Sequence, residues 1–552
     1  MIKNRYTNLK LNSGWLVGNF AKEENLMRLN KAFIAALVAI GLGTALHATT
    51  KDSARVNSES VKDKNEKCVT CHMKENRSLV DHYENSAHSV AGVGCYTCHA
   101  APEGDSLGYE HEGAFIKTIQ TPNDCKACHE REVKEMTNSH HATAGQIMAS
   151  LDNMLAEVIA SFPDTKADAV NGCWQCHGSV IKPEKDKDGN LIFNEAGAPV
   201  MDWMTWPNSG IGRINHDGTR GSCNACHSRH DFSSSRARQP ENCGKCHLGP
   251  DHPQKEVYEE SKHGIAYYAA PKGDVPGGMN IHKQGKWILG KDYKAAPTCS
   301  TCHMGGYKKS NGSIVKGTHN VGDRLSWTLR PPVSVKLNRV VFEDGTVQDI
   351  AGDKPPAVGS MQTFKDYVRE GDKLKKVMKE KKVKKVISWE QRRKNMKEVC
   401  SSCHSDHHVD NFYKQFDSLV VTYNDKFAKP GVALVKQMKK DGIWKKSGFQ
   451  QDDIGYIWFE IWHHEGRRTR HGAAMQAPDY THWHGMYEVS RHFYSKFLPK
   501  VLKLAKKAGM EDKYKKLISD LLDKPEHEWY KTGGNPETLK MIEAENKARY
   551  KQ

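Results

Sequence analysis

A mainly α fold with few and short strands is predicted. Three observations predict it. All 16 cysteines of the 552-residue chain fall into eight C-x-x-C pairs, each followed directly by His. The hydrophobic fraction is 38% and the mean hydropathy −0.71. Those values exclude a multispanning membrane protein, and they are low for so long a chain unless something besides protein fills the interior. Beyond Cys403, apolar residues recur at helical spacing, punctuated by Gly and Pro.

The motifs are Cys68-Cys71-His72, Cys95-Cys98-His99, Cys125-Cys128-His129, Cys173-Cys176-His177, Cys223-Cys226-His227, Cys243-Cys246-His247, Cys299-Cys302-His303 and Cys400-Cys403-His404. C-x-x-C-H is the attachment signature of c-type haem. Two thiols add to the porphyrin vinyl groups, and the adjacent His reaches the iron from the same turn. A structural zinc site does not require His after every second Cys, and a disulfide framework fails for the same reason. The fold class is therefore a multihaem cytochrome c with a haem-packed N-terminal region and a C-terminal helical bundle. The motif spacing is irregular, so this is not a tandem array. With roughly 63 residues per motif after residue 48, no motif has an independent domain, and the chain folds around its cofactors.

In chain order, residues 1–48 read as an N-terminal extension and export signal. Arg28 and Lys31 precede the apolar run Ala32–Leu46, with small residues at Ala45 and Ala48. An uncleaved anchor is the competing reading, and the true start would be Met27. Residues 49–410 read as the octahaem domain. Within it, 178–222 is a polar Gly/Asn/Asp-rich insertion with Trp203 and Trp206, expected as loop or short hairpin. The Lys-rich stretch 364–399, with Leu374, Val377, Met378, Val383, Val386 and Ile387, is expected as a solvated amphipathic helix. Residues 411–552 read as a helical domain contributing to oligomerisation, with helices at 432–440, 487–508 and 512–522. No second apolar run of spanning length occurs, so the mature protein is expected without a transmembrane anchor, in the periplasm or an equivalent non-cytoplasmic compartment.

The formal charge is +16, of which residues 1–48, with six Lys/Arg against two Glu, hold +4. Eight haems would add about −16 through ionised propionates. The sequence pI of 9.0 is thus no sign of nucleic-acid binding, and no recognisable module for it is present. Each iron has a sixth position. Filled by His it only passes electrons, and left open it admits a substrate. Candidate second ligands on short polar stretches are His88, His111, His140, His230, His263, His319 and His471, one fewer than the motifs; each could equally be an ordinary packing or surface His.

The stretches GCWQCHG (172–178), CNACHSRHDFSSSRARQPENCGKCHLGPDHPQ (223–254), YEESKHG (258–264), APTCSTCHM (296–304), THN (318–320) and PDYTHWHG (478–485) resemble the octahaem hydroxylamine oxidoreductases and their hydrazine-oxidising relatives, over about residues 65–495. The resemblance implies a homotrimer with seven bis-His haems and one five-coordinate catalytic haem on Cys173, Cys176 and His177. It implies Asp251 and His252 on the open face, acting as bases on the substrate. It also implies Tyr480 linked covalently to the catalytic porphyrin of a neighbouring subunit. Without the resemblance, Asp251 is as easily a turn cap, His252 a surface residue, and Tyr480 a packed ring beside Trp483 and Tyr487. The sequence departs from the family where Arg330 stands at the position of a pocket Tyr, and in the 178–222 insertion. No C-x-x-C-K motif of the related nitrite reductases is present. The implied activity is oxidation of hydroxylamine to nitric oxide or nitrite, with electrons passed to a soluble acceptor cytochrome. The alternatives are oxidation of hydrazine to dinitrogen, reduction of nitrite or nitric oxide, and non-catalytic electron transfer.

Overall fold

The computed structural model describes residues 59–148 and 166–551, except 274, 276–277, 286, 288–291, 294–295, 310, 371–372, 446–451 and 534–535. The export signal falls outside the described residues. Helices dominate, as the composition and periodicity predict. Three of the attachment motifs are helices of their own, the second, fourth and seventh at Cys95–His99, Cys173–His177 and Cys299–His303. The first and third lie within the longer helices Glu59–Glu75 and Pro122–Thr137. Helical spacing is what the chemistry needs, because residues i, i+3 and i+4 share one face and aim both thiols and the imidazole the same way.

The C-terminal third packs around one aliphatic and aromatic core. Tyr423, Phe427, Met438, Ile461, Phe493, Phe497 and Val501 are among its fully buried members. Its helices include Asp406–Tyr423, Lys429–Lys440, Leu498–Lys507 and Glu511–Leu522. Among the described residues four π-helical segments interrupt the α-helices, at Asn424–Ala428, Glu460–Glu465, His482–Tyr487 and Phe493–Phe497. Such insertions shift side chains around the axis and are common at functional sites. Among the described residues no helix is long and apolar enough to cross a membrane.

Two expectations are corrected. Strands are not all short, and the Lys-rich stretch 364–399 is not one helix. The small hairpins β1 (Tyr109–His111)/β2 (Ala114–Ile116) and β3 (Tyr307–Lys308)/β4 (Ile314–Val315) are as brief as predicted. A five-stranded sheet follows, from β5 (Trp327–Thr328), β6 (Val335–Phe342), β7 (Val347–Ala351), β8 (Met361–Glu370) and β9 (Lys373–Ile387). Its order is β5-β6-β9-β8, and β7 also pairs with β6. β8 and β9 form an antiparallel ribbon from Met361↔Lys382 to Glu370↔Lys373. The apolar residues of β9 fit either periodicity, and the partner strand decides. Val383 opposes Phe342 and is buried with it, and Phe364 meets Phe342 edge to face at 5.3 Å. The helix begins only at Trp389, where Ser388 caps it, and runs to Cys400. Lys336 of β6 lies over the rings of Trp327 and Trp389, at 3.6 and 4.2 Å, which fastens the sheet to the helix that delivers the eighth motif.

The insertion 178–222 has no regular strand, as expected, but it is not peripheral. Its segment 210–214 runs alongside the fourth motif. Ile211 N donates to Cys176 O at 3.0 Å and Gly212 N to His177 O at 3.1 Å. A methyl on Gly212 would stand 2.7 Å from Ala144 N and 2.8 Å from His177 O. Glycine is what allows three backbone segments to meet behind His177.

Candidate active site

One cavity of about 3320 Å³ runs through the molecule, and cysteine and histidine side chains from all eight motifs line it. That is roughly 400 Å³ per motif, the size of a pocket for one cofactor. Thiols of different motifs come into contact: Cys68 with Cys95, Cys125 with Cys223, Cys176 with Cys246, and Cys243 with Cys299. Motifs one and two, three and five, and six and seven are thus neighbours, and the fourth joins at the sixth.

The imidazoles provide a sharper test of whether haem fits. Two nitrogens each about 2 Å from one metal place their ring centres about 6.2 Å apart. Besides His247–His252 at 6.3 Å, five residues apart, edge-on and with both His252 nitrogens on oxygen acceptors, six pairs meet that spacing. They are His72–His111 at 6.4 Å, His99–His230 at 6.4 Å, His129–His88 at 6.1 Å, His227–His319 at 6.4 Å, His247–His141 at 6.1 Å and His404–His263 at 6.0 Å. Each joins a motif His to a His from a distant element, so the residues present fit a metal between them. Burial lowers His141 to about 3 and both His227 and His247 to about 4. All three are neutral lone-pair donors near pH 7.

Five of the seven second ligands read from the sequence occupy such positions: His88, His111, His230, His263 and His319. His140 does not. Its Nε2 is 2.8 Å from Asp349 Oδ2, and the adjacent His141, which the sequence reading passed over, faces His247 instead. The dipeptide His140-His141 offered two imidazoles, and the buried carboxylate of Asp349 takes the first. His471 is held by Gln254, whose Nε2 lies 3.1 Å from its Nδ1, while Gln254 Oε1 lies 3.4 Å from His247 Nδ1. Among the described residues, His177 and His303 have no imidazole at the axial spacing.

What lines the cavity near His177 is different. Asp251 and His252, in the turn after the sixth motif, form a tight pair, His252 Nδ1 to Asp251 Oδ1 at 2.5 Å. His252 Nε2 is 2.9 Å from the carbonyl of Cys246. Both ring nitrogens meet oxygen acceptors, so the protonated ring is favoured. Burial opposes the charge, but the Asp251 carboxylate outweighs it and raises His252 above its ordinary value. Arg467 Nη1 lies 3.1 Å from Asp251 Oδ2, and His463 Nε2 lies 3.9 Å from the same oxygen. Burial works against ionisation of Asp251, yet His252, His463 and Arg467 together hold its carboxyl well below the usual range. His177 is within electrostatic reach of Asp251, His252 and Arg330, and its Nδ1 is 3.3 Å from Ala144 O. Arg330 lines the same cavity with its side chain exposed. Arg467 Nε donates to its carbonyl at 2.8 Å.

His463 and Arg467 were not read from the sequence. They belong to the segment IWHHEGRR, where neither spacing nor composition marks a site, and only the π-helical turn Glu460–Glu465 and the helix Gly466–Met475 carry them to Asp251. Tyr480 is not in this pocket. It lies on the short helix Pro478–Thr481, tied to Glu260 through the Asp479 amide, with its ring 5.6 Å from His484.

Residues 211–348 match the family model described as seven times multi-haem cytochrome CxxCH, and residues 42–100 with 124–197 match cytochrome c554 and c-prime. The chain is a multihaem c-type cytochrome. A probable nitrite reductase-hydroxylamine oxidoreductase fusion protein of Kuenenia stuttgartiensis is 25% identical to this cytochrome over 394 residues, 65% of this chain and 36% of that protein. The C-type polyheme cytochrome OmcB of Geobacter sulfurreducens is 24% identical over 234 residues, 36% of this chain and 28% of OmcB. The cytochrome thus spans about a third of the length of these relatives. Among solved structures, a hypothetical multiheme protein superposes with a TM-score of 0.62 at 23% identity, covering 83% of this chain and 99% of its own. A Kuenenia stuttgartiensis reducing HAO-like protein complex gives 0.50 at 18%, covering 82% and 87%. These structures share the fold.

Proposed function

We propose that this cytochrome is an oxidoreductase that oxidises hydroxylamine to nitric oxide or nitrite at a haem on Cys173, Cys176 and His177, with hydrazine oxidised to dinitrogen as the alternative at the same site. The other seven motifs would hold haems that carry the electrons away to a soluble acceptor cytochrome. One observation carries the reading: of the eight motif imidazoles, six face a distant second imidazole, while His177 has none at that spacing and lies within electrostatic reach of the Asp251–His252 pair. His303, the remaining one, has no such acid–base pair within electrostatic reach among the described residues. Bound at His177, the haem would supply a Lewis-acidic iron that withdraws electrons and acidifies the substrate N–H groups.

The protein's part is to handle the protons. His252, once it releases the Cys246 carbonyl, can accept a substrate proton at Nε2 while Nδ1 keeps its bond to Asp251. Asp251 fixes the ring and stabilises its positive charge, and Arg467 fixes Asp251. Steady-state assays with hydroxylamine and hydrazine, run in both redox directions, test the reading. Turnover of hydroxylamine or hydrazine is expected, and turnover of neither overturns it.

Arg330 supports a second reading, reduction of nitrite. Its guanidinium, in the cavity and without a carboxylate within ion-pair distance among the described residues, suits an anion better than a neutral amine. Comparing nitrite reduction by the wild type and R330M separates the two.

A homotrimer with Tyr480 linked to the neighbouring subunit's porphyrin is proposed from the family resemblance. The place of Tyr480 outside its own chain's cavity, beside the exposed rings of Trp483 and Tyr487, is compatible with it. Tyr480→Phe is expected to abolish the absorbance of a modified haem while leaving the other haem bands unchanged. An unaltered spectrum excludes Tyr480 as the linker. Export to the periplasm or an equivalent lumen belongs to the same proposal.

A further inference from the structure

His463 is a buried imidazole with one nitrogen near a catalytic carboxylate and the other unused. Its relative exposure is 9%, its ring stacks on Phe459 at 4.1 Å, and it lines the cavity beside Asp251 and Arg467. Nε2 lies 3.9 Å from Asp251 Oδ2, and Nδ1 is buried with no hydrogen-bond partner. A buried polar nitrogen left unpaired costs free energy, and retaining one here points to a task. Asp251 therefore stands between two imidazoles, His252 on Oδ1 and His463 towards Oδ2.

Beyond His463 the next ring is His464, with centroids 5.5 Å apart. His464 is half-buried and Phe459 meets it edge-on at 5.2 Å. The charged groups around this pair are Asp251 and His252 from the turn, Arg467 and Arg468 from the following helix, and Glu460 on its own turn. Burial and then Arg467 push His463 down to about 3, so it rests neutral and holds an added proton only briefly, as a relay requires.

We propose that His463 is a proton-relay residue of this site, passing protons from the Asp251–His252 pair to His464 and solvent. It takes a proton at Nε2 and releases one from Nδ1, with no electron transferred. The proposal rests on the reading of Asp251 and His252 as the acid–base pair.

The test uses the haem-loaded protein with H463F, which preserves the stacking, H463Q, and H463G with added imidazole. Unchanged low-spin haem bands serve as the folding check. Turnover of hydroxylamine in H463F and H463Q is expected to fall about tenfold with a larger solvent deuterium isotope effect, and imidazole is expected to restore H463G. A second readout needs no substrate. The rate of proton uptake that accompanies rapid reduction of the fourth haem, followed with a pH-indicator dye in stopped flow, should fall about tenfold in H463F and H463Q, while the equilibrium potential keeps its pH dependence because His252 still titrates. Because this proton uptake proceeds whether or not hydroxylamine is turned over, failure of the relay and failure of the proposed activity are distinguishable. Wild-type proton-uptake rates in either variant, or an H463G defect that imidazole does not relieve, overturns the proposal.

Discussion

His252→Ala is expected to lower hydroxylamine turnover by about 10²- to 10³-fold, within the range for a positioned general base. The haem bands and the affinity for hydroxylamine should be nearly unchanged, because Asp251 remains held by Arg467 at 3.1 Å. The pH profile adds a second signature. Asp251 raises His252 above its ordinary imidazole value. The base form therefore appears only as pH climbs past that raised value, and kcat/KM of the wild type should rise across this window. The His252→Ala variant should lack that limb. The sign for stability is opposite. A group whose folded pKa is raised stabilises the native state fully below its unfolded value, and this contribution disappears as pH rises through the folded value. The site is thus more stable in acid and more active in base. A His252→Ala variant with wild-type turnover would remove the proposed base.

The largest stability loss is expected at Asp349, far from the chemistry in role though linked to it in space. Its side chain is 4% exposed and accepts from Arg339 Nε at 3.0 Å, Arg392 Nη1 at 3.1 Å and His140 Nε2 at 2.8 Å. Arg392 is itself fully buried. Asp349→Ala leaves the buried Arg392 guanidinium without its carboxylate and Arg339 with Asp323 alone, at 2.7 Å, and should cost about 3–5 kcal/mol, measured by denaturant unfolding of the holoprotein. Burial opposes ionisation of Asp349, but His140, Arg392 and Arg339 hold its carboxyl well below the usual range. The stability it contributes is therefore present above the ordinary carboxylate value and is lost as pH falls through its lower folded value. Since His140 lies next to His141, the variant should also disturb the sixth haem. A stability within 1 kcal/mol of wild type, about the level of an exposed pair, would contradict the buried-network account.

The contrast between these two sites marks where sequence suffices. The attachment turns are local, three side chains on one helical face, so spacing alone reveals them. The C-terminal helices at 429–440, 498–507 and 511–522 were legible for the same reason, through a strong 3.6-residue period. Nothing local separates His140 from His141, and the choice is made by Asp349, more than two hundred residues away. The ribbon β8–β9 was hidden likewise, because Val383 and Val386 suit helix or strand until Phe342 and Phe364 are beside them. His463 gave no signal at all, since its meaning depends on a carboxylate brought in by the turn after the sixth motif. Asp251 and His252 were found through resemblance, and their geometry now supplies the physical argument that spacing lacked.

The central claim is that the iron held by His177 has an open face. Low-temperature electron paramagnetic resonance of the oxidised holoprotein tests it most directly, with a Cys173→Ser/Cys176→Ser variant measured alongside. The account predicts a high-spin ferric signal that hydroxylamine perturbs and that the variant loses. A wild-type spectrum containing only low-spin haems, or a hydroxylamine-sensitive high-spin signal that survives in the variant, would contradict it.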